Sequence, residues 1–470
     1  MRRAEKIYRF LIYILPGVLF FSYYPLMHFG SSESMNFEIS LPLIWLVLFD
    51  VLVVWLMGKR KMWLRGWKKR WVWLLLPVWL TVSVLWSLNA VRGVLTVGIL
   101  WLLYLAVYGM WRLRGLMDEE FRGKFWKWFF GASLVTCVWC WVQCVLDLCG
   151  ISREYTLMCA GCTYEMFGFP HPNGMAIEPQ FMGNLLLAPA IMAGWLMLKN
   201  RKYLLIFFVL TATLFLTFSR GAIYAFLIAM LVMTVWQIVL TKKWKVLSIW
   251  AAVVLAFLFT LNTQGIMAQM SATNDTYVTG VAKVLNHLTL GVVDVRGETE
   301  TTSQEEVLVD IVYAGEETQV SEAVENEAAF DGYVAESTDT RLRLSGAAVE
   351  VWGQNFSSVM FGVGLGGAGQ ALYVNGLSPA PKEIVQNQYA SLLLETGLVG
   401  IGLLILTLVL VVRVVLKSPW RVVILSLIIA YGVTLCFFSG LPNALQIYLM
   451  PGVLLAIGAV GMGKKLVEKD

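Results

Sequence analysis

The sequence predicts an all-α polytopic membrane protein of about twelve transmembrane helices, with one large external loop between spans nine and ten. Three observations predict it. Hydrophobic residues make up 58% of the 470, and the mean hydropathy is +0.70. The apolar stretches recur at the length of a bilayer crossing, and Lys and Arg gather between every second pair of them. In lipid only a helix or a closed barrel satisfies its own backbone groups, and these runs are uniformly apolar rather than alternating.

In chain order the spans lie near residues 8–28, 41–57, 71–89, 93–111, 128–149, 177–198, 203–219, 221–240, 246–262, 389–412, 421–439 and 444–463. The first is long enough to cross and is followed by no small-residue cleavage pattern, so it reads as an anchor rather than a signal peptide. The seventh and eighth need justification. From Tyr203 to Leu240 the chain runs 38 residues with Arg220 near the middle. One helix of that length would be about 57 Å long, against a hydrocarbon core of about 30 Å. An arginine in that core costs roughly 2.5–3.5 kcal/mol on the insertion scale. Two helices broken at Ser219-Arg220-Gly221 remove both difficulties and set Arg220 at a membrane face.

Charge orients the bundle. With both termini cytoplasmic, the inner segments from "MRRAEK" and "GKRKMWLRGWKKR" to "KKLVEKD" hold 28 of the 36 Lys and Arg residues. Eight remain outside: Arg92, Arg153, Arg220, Lys283, Arg296, Arg341, Arg343 and Lys382. The basic loops suit anionic headgroups, so the net charge of +5 is no sign of nucleic acid. The chain divides into a nine-span region (1–262), an external loop (263–388) and a three-span region (389–470). The loop holds 17 acidic residues against five basic ones, a net of −12. Its stretch 297–337 lacks Lys, Arg and Trp and reads as a disordered or solvated insert. After it, Leu342, Leu344, Ala348, Val349 and Trp352 are spaced for an amphipathic helix over 339–353 at the external interface, with Arg341 and Arg343 in its first turn.

Several motifs invite chemistry. "GVGLGG" (362–367) fits a dinucleotide fingerprint on paper, but it is external and follows a helix, so a backbone reversal is expected instead. "CAGC" (159–162) lacks the four ligands of a structural zinc, and no metal or cofactor is assigned. Cys137, Cys140, Cys144 and Cys149 on the fifth span read as small core residues. "FPHPNGMAIEPQF" (169–181) is either a proline-stiffened loop with Asn173 starting a helix or a polar lip, with His171 or Glu178 able to take a proton. Arg220 and Arg341, possible interfacial anchors singly, fall on one face together. Guanidiniums bind phosphate oxygens bidentately and keep their charge, which suits a lipid-linked pyrophosphate.

"FSRGAIYAFLIAM", "DTRLRLSGAAVEVWGQNFSSVMFGVGLGG" and "VQNQYASLLLETGLVGIGLL" follow in an order that resembles the O-antigen ligase and O-antigen polymerase superfamily. "FPHPNGMA" and "WSLNAVRG" (86–93) are weaker echoes. The resemblance implies inverting, metal-independent transfer of a glycan from undecaprenyl pyrophosphate, on the external face of the cytoplasmic (inner) membrane of a bacterium. The acceptor would be lipid A-core or another lipid-linked repeat, as in polysaccharide and lipopolysaccharide synthesis. It further implies that Arg220 and Arg341, with Arg343 nearby, bind the pyrophosphate. Where ligases of this family place a His-Asn pair, this chain has Gln386 and Asn387. Glutamine cannot take the acceptor's proton, which leaves Glu395, Glu383, Glu178 or His171 as base. A glycan or lipid carrier using intramembrane Asp50, or a non-catalytic scaffold, are the competing expectations.

Overall fold

A computed structural model describes residues 2–21, 25–29, 37–62, 71–158, 170–271, 276–290, 339–441 and 444–458. The acidic stretch 297–337 and the Cys159–Cys162 motif lie outside the described residues. In order, the elements are α1 (Arg2–Phe20), the antiparallel pair β1 (Pro25–Phe29) and β2 (Phe37–Ser40), α2 (Leu41–Lys59), α3 (Leu75–Ser83), α4 (Ala90–Arg112) and α5 (Glu119–Leu148). There follow α6 (Pro179–Met197), α7 (Tyr203–Leu216), α8 (Arg220–Val235), α9 (Leu247–Met270), α10 (Tyr277–Leu288), α11 (339–352) and α12 (Phe356–Phe361). The last are α13 (Ala368–Val374), α14 (Gln388–Val415), α15 (Arg421–Thr434) and α16 (Leu445–Gly458).

A helix occupies each of the twelve expected spans. Among the described residues, seven helices are by themselves long and apolar enough to cross a membrane: α2, α4, α5, α6, α8 continued to Leu240, α9 with its lead turn from Trp244, and α14. α3, α7, α15 and α16 are shorter, and α1 carries five charges in its first eight residues. The first span differs from expectation. Its helix stops at Phe20, and the strand β1 begins at Pro25. α9 also continues to Met270, beyond the expected span end at 262.

α6 is the central post. It is buried along most of its length, with α5, α7, α8, α15 and α16 around it. Small residues allow the close approach that helix packing in lipid relies on. A Cβ on Gly183 would meet that of Ser219 at 2.7 Å, and one on Gly194 would meet the Phe207 ring at 2.9 Å. By contrast α14 is mostly exposed on its flank, as a lipid-facing helix should be.

The two ends of the bundle differ. At one, cations are paired or stacked: Arg60 on Glu5 at 2.7 Å, Arg9 on Asp118 at 2.9 Å, and Lys199 over the Trp195 and Trp420 rings at 5.1 and 4.9 Å. At the other, the first residues of α6, α8 and α14 meet the segment that follows α15. Gln180 donates to the Phe437 carbonyl at 3.0 Å, Gly221 lies against the Phe437 side chain, and the Gln388 amide donates to the Leu435 carbonyl at 2.9 Å.

Candidate functional site

The joint between α7 and α8 sets the first cluster. α7 ends at Leu216, Phe218 takes φ +50°, and Ser219 is extended before Arg220 opens α8. A non-glycine residue in that region costs on the order of 1–3 kcal/mol unless its surroundings hold it. Here they do. The Phe218 ring lies edge-to-face with His171 at 5.7 Å and with His287 at 6.1 Å. His287 Nε2 lies 3.2 Å from the Phe218 carbonyl, and because a carbonyl only accepts, Nε2 carries the proton. Gly183 lets α6 press against Thr217 and Ser219 from beneath. The break expected around Ser219–Gly221 thus falls at 217–219, and Arg220 is the first helical residue after it.

Two arginines bear on this joint. Burial pushes the His287 imidazole down to about 3, Arg220 adds to the shift, the Phe218 bond opposes it, and His171 and Arg341 add further. One buried ring therefore feels the charge of both Arg220 and Arg341, although 121 positions separate them in sequence. Arg341 projects from the first turn of α11 and donates to Gln180 Oε1 at 3.3 Å. Glu178, the N-cap residue of α6, is also within reach of that charge: partial desolvation raises its carboxyl and Arg341 draws it back. His171 is buried and pushed down to about 3. Asn173 is fully buried and donates to the Leu157 and Ala176 carbonyls, so it ties the loop together rather than starting a helix.

Other expected site residues lie elsewhere. Arg343 is exposed on the outward side of α11. The buried face of α11 is Leu344, Ala347, Ala348 and Val351, packed against Ala368, Ala371 and Leu372 of α13. Leu342 and Val349 of the expected stripe point outward, at 67% and 46% exposure. Asn387 caps α14, its Oδ1 accepting from the Tyr389 and Ala390 amides at 3.0 and 3.1 Å. Gln386 is half-buried beside it.

Glu395 belongs to a second cluster, built by the glycine turn. Gly362, Gly364 and Gly366 all have positive φ, and the turn wedges between α14 and the 83–93 segment. A Cβ on Gly364 would sit 2.3 Å from the Ser87 Cα, and one on Gly362 would sit 2.4 Å from the Glu395 carbonyl carbon. The Gly364 amide donates to the Glu395 carbonyl at 2.9 Å, and Ser87 Oγ donates to the Leu365 carbonyl at 2.8 Å. α14 yields to this wedge at Gly397, φ 63° and ψ −168°, and the indole of Trp79 donates to the Thr396 carbonyl there at 3.3 Å. The Glu395 carboxylate accepts from the Ala368 amide at 3.4 Å and faces the Gly366 amide and Arg92. The expected backbone reversal thus joins "WSLNAVRG" to "GVGLGG".

Sequence reasoning missed His287, Gln180 and Arg92. The first had a signal, since Thr276 and the spacing of Val278, Val281, Val284, Leu285 and Leu288 mark a capped amphipathic helix. Residues 204–405 match the family model described as O-antigen ligase. The match runs from α7 into α14 and contains Arg220, His287, Arg341, Gln386 and Glu395, while His171, Glu178 and Arg92 fall outside it. A search of curated proteins finds no match. The family resemblance read from the sequence is shown over that segment. At family level that match carries a role in polysaccharide biosynthesis, and the apolar helices agree with a membrane protein.

Proposed function

On the premise that residues 204–405 are of the O-antigen ligase family, we propose that the protein transfers a glycan from undecaprenyl pyrophosphate to a hydroxyl of a glycan or lipid acceptor. Transfer takes place on the external face of the bacterial cytoplasmic membrane, with twelve crossings and both termini inside. The single observation that supports the site is that Gln180 accepts from Arg341 and donates to the Phe437 carbonyl, while the Phe437 side chain packs on Gly221 beside Arg220.

In this reading the two guanidiniums grip the diphosphate bidentately. The acceptor oxygen attacks the anomeric carbon from the face opposite the carrier, so configuration inverts. The bond from that carbon to the phosphate oxygen breaks, and its electron pair leaves with the diphosphate. Fixed positive charge where negative charge grows is the strongest catalytic device available to such a site, and here it needs no metal ion. Glu178 takes the acceptor proton. It stands two residues before Gln180, which holds Arg341, whereas His171 is pushed too low to compete and Glu395 is engaged in the other cluster.

The test is transfer with purified protein in lipid nanodiscs and a polyprenyl-pyrophosphate-linked repeat. Release of free carrier and lengthening of the glycan are expected, and Arg220→Ala or Arg341→Ala should abolish both in folded protein. Glycan flux across sealed vesicles without a new glycosidic bond would replace this reading with a carrier.

A further inference from the structure

A cavity of about 380 Å³ lies between α3, α4, α14, α15 and α16, on the other side of the 435–441 segment from the Arg220 cluster. Its body is hydrocarbon: Leu80, Leu100, Leu404, Leu408, Ile428 and Leu455 are among its walls. Beyond the kink at Gly397, Leu404, Leu408 and Val411 carry its lining about two turns, about 10 Å, further along α14. It opens sideways, because Leu408 both lines it and is 40% exposed on the lipid-facing flank of α14.

Its mouth is polar and differs in kind from the arginine cluster. Arg92 faces Glu395, donates to the Lys382 carbonyl at 3.4 Å, and shares the lining with Glu383. Arg92 is matched by Glu383, and Glu395 is held by the Ala368 amide, so among the described residues the mouth offers no second cation to hold a phosphate. Gln388, which accepts from Tyr448 Oη at 2.7 Å and from Ser439 Oγ at 3.2 Å, adds uncharged groups at the same end. A mixed set of donors and acceptors over an apolar slot matches sugar hydroxyls on a hydrocarbon chain.

We propose that this cavity binds a glycolipid, its chain between α4, α14 and α15 and its uncharged sugar head at Arg92, Glu383 and Glu395. Taken with the proposed function, on which this last step rests, it is the acceptor subsite. The acceptor lipid then approaches from one side of the 435–441 segment and the diphosphate carrier from the other.

The test uses three photoreactive probes sharing one diazirine-bearing alkyl chain, with glucoside, phosphate or plain alcohol heads, on the full chain in nanodiscs. The glucoside should label α14 at least 5-fold more than the other two. Arg92→Ala with Glu383→Gln should reduce it to the alcohol's level. Leu408→Trp, placed at the lipid-facing rim where folding tolerates it, should cut labelling at least 10-fold. Arg220→Ala should leave labelling unchanged. Equal or stronger labelling by the phosphate probe, or no effect of Leu408→Trp, would overturn the proposal. Labelling without transfer would sink only the catalytic reading, and arginine-dependent transfer without labelling would sink only this one.

Discussion

Two arginines stand at the same end of the bundle in opposite company. Arg220 shares its surroundings with a second arginine, Arg341, and with two histidines that burial keeps neutral. Arg92 faces Glu395 and shares its cavity mouth with Glu383. The first arrangement sets two guanidiniums beside one desolvated carboxyl, Glu178, and so keeps positive charge in excess where fields are weakly screened. The second cancels it and offers hydrogen bonds instead. Residue type alone does not distinguish the two; the neighbours do, and they are delivered by different elements. Arg220 is placed by the strained joint at Phe218, and Arg92 by the glycine turn wedged against 83–93.

Substitutions should separate the clusters most sharply in turnover. Arg220→Ala or Arg341→Ala is expected to lower transfer by at least 100-fold, about 3 kcal/mol of transition-state stabilisation. Arg92→Ala should act mainly on the acceptor's apparent KM, read from the release of free carrier at varied acceptor. Arg343→Ala should be nearly silent, because that side chain points away from both clusters.

Glu178→Gln ranks next, at roughly 100-fold, the usual worth of a positioned base. Its carboxyl is raised by desolvation, so wild-type rate should climb with pH as that group ionises, and the variant's profile should lose this limb. An unchanged profile would move the base elsewhere.

The glycine wedge predicts a loss of stability rather than of chemistry. Gly364→Ala forces a Cβ to within 2.3 Å of the Ser87 Cα at φ +88°. Overpacking and left-handed strain together should cost about 2–4 kcal/mol. A fall in the thermal midpoint with the Glu395–Arg92 cluster impaired is expected, since this turn packs against both residues' backbones. Gly346→Ala, with open space around it, is the matched control on α11.

A separate effect is on acid stability. His171 and His287 fall from 6.5 to about 3 on folding, so the unfolded chain binds protons that the folded one refuses. Stability is therefore full above about pH 6.5 and declines as pH drops toward 3. His287→Asn should flatten part of that slope in thermal melts between pH 7 and 4.

Much of the scaffold was legible because the bilayer imposes length and polarity on each segment separately. The helix break before Arg220 followed from 38 apolar residues being too many for one crossing. α11 followed from its spacing, although its buried stripe begins at Leu344 rather than Leu342, because α13 covers it from a side the sequence does not specify. The first span was overextended because apolar content alone does not report where a helix stops, here at Phe20. The pairing of Ser87 with Leu365, 278 positions apart, is a tertiary contact between two unremarkable turns, and no local period reports it. His287 was overlooked for a related reason. Its helix is short and amphipathic inside an acidic loop, and its importance comes only from lying beneath Phe218.

The most direct measurement is the preference of the purified protein for undecaprenyl pyrophosphate over undecaprenyl monophosphate, read by native mass spectrometry. If Arg220 and Arg341 grip one diphosphate, the wild type should favour it by 10-fold or more, and each alanine variant alone should erase most of that preference. A preference that survives in either variant would show that the two guanidiniums do not share a ligand.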